Sequence, residues 1–165
     1  MCFIRQQMHY ITTPHQAELN AQDQMRSWGF VDAVATTGGS DGGIDVRSSR
    51  ALAQVKWKGG VTGRPDVQNL YGARGAGTEQ LLFFSASGYS DQATTYADQV
   101  GILLMTYDPL GAVEGVNPAA RRFLAAVVAE PATLEAPTDW RLVSILTAVL
   151  ILVISAAILL SWPSQ

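Results

Sequence analysis

The candidate reactive groups of this sequence are Asp45, Gln54 and Lys56. They lie in the stretch 37–58, T-G-G-S-D-G-G-I-D-V-R-S-S-R-A-L-A-Q-V-K-W-K, which reads as a glycine-rich turn, a short strand, a tight turn and a second short strand. Ile44-Asp45-Val46 and the run 51–57 are rich in apolar and β-branched residues, and Ser48-Ser49-Arg50 is long enough for a hairpin connection. Side chains alternate along a strand, so Gln54 and Lys56 point one way and Val55 the other, into a core. If the hairpin register sets Asp45 on the face of Gln54 and Lys56, one surface carries a carboxylate, an amide and an ammonium. That trio suits metal-assisted attack on a phosphodiester. The carboxylate holds a hard divalent cation, and the ammonium steadies the attacking water or the developing negative charge.

The rest of the chain must position these groups. At 165 residues it is one domain with an added element. A formal net charge of -3 excludes a protein that is basic throughout. Locally the balance differs: Arg47, Arg50, Lys56, Lys58, Arg64 and Arg74 face the single acid Asp66 between 47 and 74. Read along the chain, positive charge gathers beside the candidate site, where a phosphate backbone would need it; a solvated face without a partner gives the same pattern. Cys2 is the single cysteine, which excludes an internal disulfide and any cysteine-based zinc site. His9 and His15 are too few and too isolated to argue for a metal cluster, and both read as surface or packing residues.

In chain order, the pattern predicts a helix over 14–28, with Thr13 as cap and Pro14 at its first position. A first strand follows over 30–36, then the glycine turn and the hairpin. Residues 65–74 read as a second helix with Asp66 in its first turn, where the helix dipole favours an acid. The apolar runs 80–86 and 102–107 read as strands buried on both faces, and 90–99 and 118–129 as helices. The result is a mixed sheet flanked by helices, an α/β fold.

The last part differs in kind. Residues 131–140 contain Pro131 and Pro137 and read as a linker. No charged residue occurs from Leu142 onward, and about 20 apolar residues cover the ~30 Å hydrocarbon thickness of a bilayer. Trp140 and Trp162 bracket the run as interfacial aromatics do. The expectation is one C-terminal transmembrane helix over 141–162 and a short tail, 163–165. Arg121, Arg122 and Arg141 precede the span and no Lys or Arg follows it, which keeps the N-terminal domain cytoplasmic.

From about Pro14 to Gly111 the chain resembles the Mrr-like restriction endonucleases, a branch of the PD-(D/E)xK nuclease superfamily. The resemblance rests on Gly38-Gly39-Ser40-Asp41-Gly42-Gly43-Ile44-Asp45, then Gln54-Val55-Lys56, then Gly63-Arg64-Pro65-Asp66-Val67-Gln68 with Tyr71-Gly72-Ala73, in that order. It implies a restriction-endonuclease-like catalytic domain over 14–130 after an N-terminal extension, 1–13. It makes Asp45 the metal-binding aspartate and Lys56 the catalytic lysine. Gln54 stands where the wider superfamily has Glu or Asp, and this branch characteristically has Gln. Glu18, on the first helix, matches an acid that often reaches the site; an exposed helix carboxylate is the alternative. Mg²⁺ or Mn²⁺ would be held by Asp45, Gln54, a backbone carbonyl near Val55 and waters, and weakly, because Gln54 adds no charge. Arg47, Arg50, Lys58 and Arg64 would grip DNA phosphates. The expected function is a membrane-anchored endonuclease acting on DNA, in restriction of foreign DNA or DNA processing, and a homodimer could cut both strands. The alternative is an inactive nuclease-fold module that binds or senses nucleic acid at the membrane.

Overall fold

The computed structural model describes residues 10–36, 43–57 and 59–129. The elements are α1 (Pro14–Ser27), β1 (Val34–Ala35), β2 (Val46–Arg47), β3 (Ala51–Lys56), α2 (Arg64–Arg74), β4 (Gln80–Ser85), α3 (Asp91–Val100), β5 (Leu103–Tyr107), β6 (Val113–Gly115) and α4 (Pro118–Ala129). The six strands form one sheet in sequence order. Its centre, β3–β4–β5, is parallel, and β1, β2 and β6 add antiparallel pairs at the two sides.

The central strands sort their side chains by parity. In β4, Leu82 and Phe84 pack into the layer that holds Ala17, Ala21 and Met25 of α1, while Leu81 and Phe83 pack with Val67 and Leu70 of α2 and Ala93 and Ala97 of α3. An uninterrupted apolar strand therefore serves two cores at once, as expected of strands covered on both faces. β3 follows the same rule: Ala51 and Ala53 face α1, and Leu52 faces α2. Alanine beneath alanine lets α1 lie close on β3, which brings the helix face carrying Glu18 toward the sheet.

The helix ends follow from local chemistry. Thr13 and Gln16 form a reciprocal capping box at the start of α1. Ser90 accepts from the Ala93 N–H at the start of α3. Asn117 is fully buried before α4; its Oδ1 accepts from the Leu104 and Ala120 N–H groups, and its Nδ2 donates to Asp98 and the Ile102 carbonyl. One side chain thus joins α3, β5 and α4.

Several expectations need correction. The strand predicted over 30–36 is confined to Val34–Ala35. Phe30 instead turns back, its N–H bonded to the Met25 carbonyl and its ring stacked on Phe123; burial of that ring against α4 overrides the strand pattern. β2 begins at Val46, one residue after Asp45. β6 was not foreseen: three residues, Val-Glu-Gly, carry too little pattern, and pairing with β5 makes the strand. The glycine-rich residues 37–42, Lys58, the linker 131–140 and the apolar run 142–162 lie outside the described residues. No helix among the described residues is long and apolar enough to cross a membrane.

Candidate active site

β3 carries Gln54 and Lys56 at its C-terminal end, on the face that Leu52 buries against α2. Ligands of open α/β sheets bind beyond the carboxyl ends of the strands, and both side chains lie there. The backbone at that point is pinned. The Lys56 carbonyl accepts from the Tyr107 hydroxyl and from the Ala86 N–H, at 3.1 and 3.0 Å.

Asp45 reaches this end of β3 through a break in the strand pairing. The ladder sets Val46 opposite Ala53, yet the Asp45 N–H also bonds to the Ala53 carbonyl, at 2.8 Å. Two residues opposing one is the mark of a β-bulge. The burial pattern agrees. Ile44 packs in the α2–α3 layer and Val46 in the α1 layer, so alternation slips at Asp45. The side chain then takes the place of a ladder acceptor: Asp45 Oδ2 accepts from the Val55 N–H at 2.7 Å. The carboxylate lies in the plane of the sheet, tied to the backbone between Gln54 and Lys56. The single shared face expected from simple parity is corrected in this respect: Gln54 and Lys56 share a face, and Asp45 joins them through the Val55 peptide. Gly43 makes the approach possible. Its φ is +84°, and a Cβ there would meet Gln54 Nε2 at 3.0 Å.

Burial raises the Asp45 pKa to about 6; the Val55 hydrogen bond opposes the rise and the negative charge of Glu18 adds to it. Glu18 therefore lies close enough to act on the site electrostatically. Its Oε2 is 3.2 Å from His15 Nδ1, one turn back on α1.

Lys56 does not point into open solvent. Its Nζ is 3.0 Å from Asp66 Oδ2, and the same oxygen accepts from the Gly63 N–H at 3.0 Å. Sequence reading placed Asp66 in the first turn of α2 for its effect on the helix dipole and missed this pairing. The available signal was the position: an acid three residues after the helix cap reaches back over the cap, and the loop from β3 returns it to Lys56.

The basic residues divide between the two ends of the sheet. α2 runs back from the C-terminal end of β3 to the start of β4, and Gln80 of β4 pairs with Ala51 at the start of β3. Arg50 and Arg74 therefore sit at the end of the sheet remote from Lys56, about 20 Å along β3 at strand rise. Arg50 donates to the Gly29 carbonyl and covers the Phe30 ring, and Arg74 donates to the Glu79 carbonyl. Arg64 opens α2 on the site's side, its guanidinium over the Tyr96 ring of α3. Arg47 pairs across from Leu52, next to the Asp45 bulge.

The donors suit a hard cation. Asp45 offers a carboxylate, Val55 a carbonyl that points the same way as its N–H in an extended strand, and Gln54 an amide oxygen. Gln54 Oε1 is buried without a hydrogen-bond partner among the described residues. A buried, unsatisfied acceptor is unfavourable unless a donor or cation reaches it. No cluster of three or more His, Cys, Asp or Glu that could hold a metal occurs among the described residues, so any ion here relies on amide and backbone oxygens beside Asp45.

The mixed sheet thus brings an acid, an amide and a lysine to the carboxyl end of one strand. Residues 11–113 match the family model Mrr_cat, described as a restriction endonuclease. The chain belongs to the Mrr-like restriction endonuclease family and carries a restriction-type nuclease domain, with DNA as the substrate that this implies. No curated protein and no solved structure matches it.

Proposed function

We propose that this chain is a divalent-metal-dependent DNA endonuclease, with Mg²⁺ or Mn²⁺ held by Asp45, Gln54 and the Val55 carbonyl. The single observation that carries the reading is the Asp45–Val55 hydrogen bond. It fixes a carboxylate at the Val55 peptide, one residue along β3 from Gln54, whose buried amide oxygen has no partner among the described residues. A divalent ion bound there supplies a Lewis acid for the scissile phosphate and lowers the pKa of a water. The chain's own groups do the rest. Asp45 contributes the one full negative charge among the donors, and Gln54 orients by its oxygen alone. Lys56 places a positive charge where the phosphate gains negative charge, held there by Asp66. Glu18 biases Asp45 electrostatically. Arg47 and Arg64, and Lys58 next in sequence to Trp57, contact phosphates flanking the scissile bond. Arg50 is assigned to DNA only as an outlying contact, because it stands at the far end of β3.

The same proposal covers topology. Residues 14–130 form the catalytic domain, 131–140 a linker and 141–162 a single membrane span, with the catalytic domain on the cytoplasmic side. The role is cleavage of foreign DNA, or DNA processing, at the membrane. Two copies would be needed to cut both strands together.

The test is cleavage of supercoiled DNA by the full chain in detergent with Mg²⁺ or Mn²⁺. Asp45→Ala and Lys56→Ala are each expected to lose at least about 100-fold in rate. Equal cleavage by those variants would assign the activity elsewhere. The Lys56–Asp66 pair supports a second reading, a module that binds nucleic acid without cutting, because an engaged lysine is not poised at a phosphate. Salt-sensitive binding with no cleavage under any divalent metal would select it.

A further inference from the structure

Gly72 is the only glycine inside a helix among the described residues. It is exposed, near the end of α2. Glycine in an exposed helix interior is destabilising by about 1 kcal/mol relative to alanine. Other glycines have a local reason: Gly43 and Gly75 have positive φ, and a Cβ on Gly115 would strike the backbone of α4 at 2.8 Å. None of this applies at Gly72. Its φ is not in the left-handed region, and a Cβ there meets nothing within 4 Å.

Space is what Gly72 does provide. It lines an open groove of about 560 Å³ together with Gly43, Gln54, Gln68, Asn69 and Ala73. One wall is thus the residue whose buried oxygen lacks a partner among the described residues, and the other is a turn of helix that presents two exposed amides. The groove is continuous with the candidate metal site and carries no formal charge among its lining side chains.

We infer that Gly72 keeps this groove open for the sugar–phosphate backbone of the substrate strand, with the Gln68 and Asn69 amides donating to phosphate oxygens beside the scissile bond. This rests on the nuclease reading and adds to it a strand path over α2. Neutral amide donors release no counterions on binding. Their loss weakens binding equally at low and high salt, unlike loss of an arginine.

The experiment uses the full chain in detergent, a defined DNA duplex and Mg²⁺, with KM, kcat and Tm measured for each variant. Gly72→Ala and Gly72→Gln are expected to raise Tm by about 2–4 °C. Gly72→Gln is expected to raise KM about tenfold with kcat within about twofold. Gln68→Ala with Asn69→Ala is expected to raise KM by a similar factor at every salt concentration, leaving the salt slope unchanged. A lowered Tm in both Gly72 variants would mean that the fold needs this glycine and would overturn the inference. So would unchanged KM in Gly72→Gln or in the double amide variant while the wild type cleaves, and then the nuclease reading stands. A wild-type chain that neither binds nor cleaves DNA overturns both.

Discussion

Asp45 carries the sharpest conflict between stability and chemistry. Its pKa is raised from 3.8 to about 6, so the folded, metal-free protein holds that proton more tightly than the unfolded chain. The stability this contributes is fully present below about pH 4 and is lost as pH rises through about 6. Asp45→Asn keeps an oxygen for the Val55 N–H and removes the charge. Because the side chain is only partly buried, the expected gain in metal-free stability at pH 7.5 is discounted to about 1–2 kcal/mol. Thermal melts in chelator should show a higher Tm for Asp45→Asn at pH 7.5 and none of that advantage at pH 4. Added Mg²⁺ should offset most of that advantage: a site with a dissociation constant near ~1 mM gains about 1.4 kcal/mol at ~10 mM ion. Asp66 belongs to the same scale. Asp66→Asn keeps an acceptor for the Gly63 N–H and weakens the hold on Lys56. It should lower kcat about tenfold, whereas a merely structural role would change Tm alone.

At the scale of elements, the site depends on where β2, β3 and α2 meet, and the buried Asn117 cap ties α3, β5 and α4 together. Asn117→Ala removes acceptors from the Leu104 and Ala120 N–H groups and leaves them buried. The expected loss is about 1–3 kcal/mol, read as a lower denaturation midpoint with an unchanged slope. Strand parity was legible in sequence wherever burial repeats: β4 and β5 are continuous apolar runs, and Gln54 and Lys56 alternate with Val55. The Asp45 bulge was not legible. One extra residue in a two-residue strand leaves no mark in the pattern; the Asp45 N–H bond to the Ala53 carbonyl beside the Val46 pairing, and the change of layer between Ile44 and Val46, reveal it. The Lys56–Asp66 pair is likewise set by a loop return rather than by spacing.

For the whole molecule, the sequence gathered basic residues along the chain, but the β3–α2–β4 crossover sends Arg50 and Arg74 to the end remote from Lys56. Proximity in sequence is not proximity in space once a helix reverses the chain. On the proposed reading, the acidic total leaves DNA engagement to a few cations near the carboxyl end of the sheet. The salt dependence of DNA affinity should be shallow, with a slope corresponding to about two to four phosphate contacts. The proposed span over 141–162 is tested by protease protection in sealed vesicles; degradation of the domain from the outer face would reverse the orientation.

The most direct measurement is a crystal structure of the chain soaked in Mn²⁺, read by anomalous scattering. The account predicts one ion bound by a carboxylate oxygen of Asp45, the Gln54 amide oxygen and the Val55 carbonyl. An ion bound elsewhere, with Gln54 Oε1 still unpartnered and Asp45 contacting only the Val55 N–H, would contradict it.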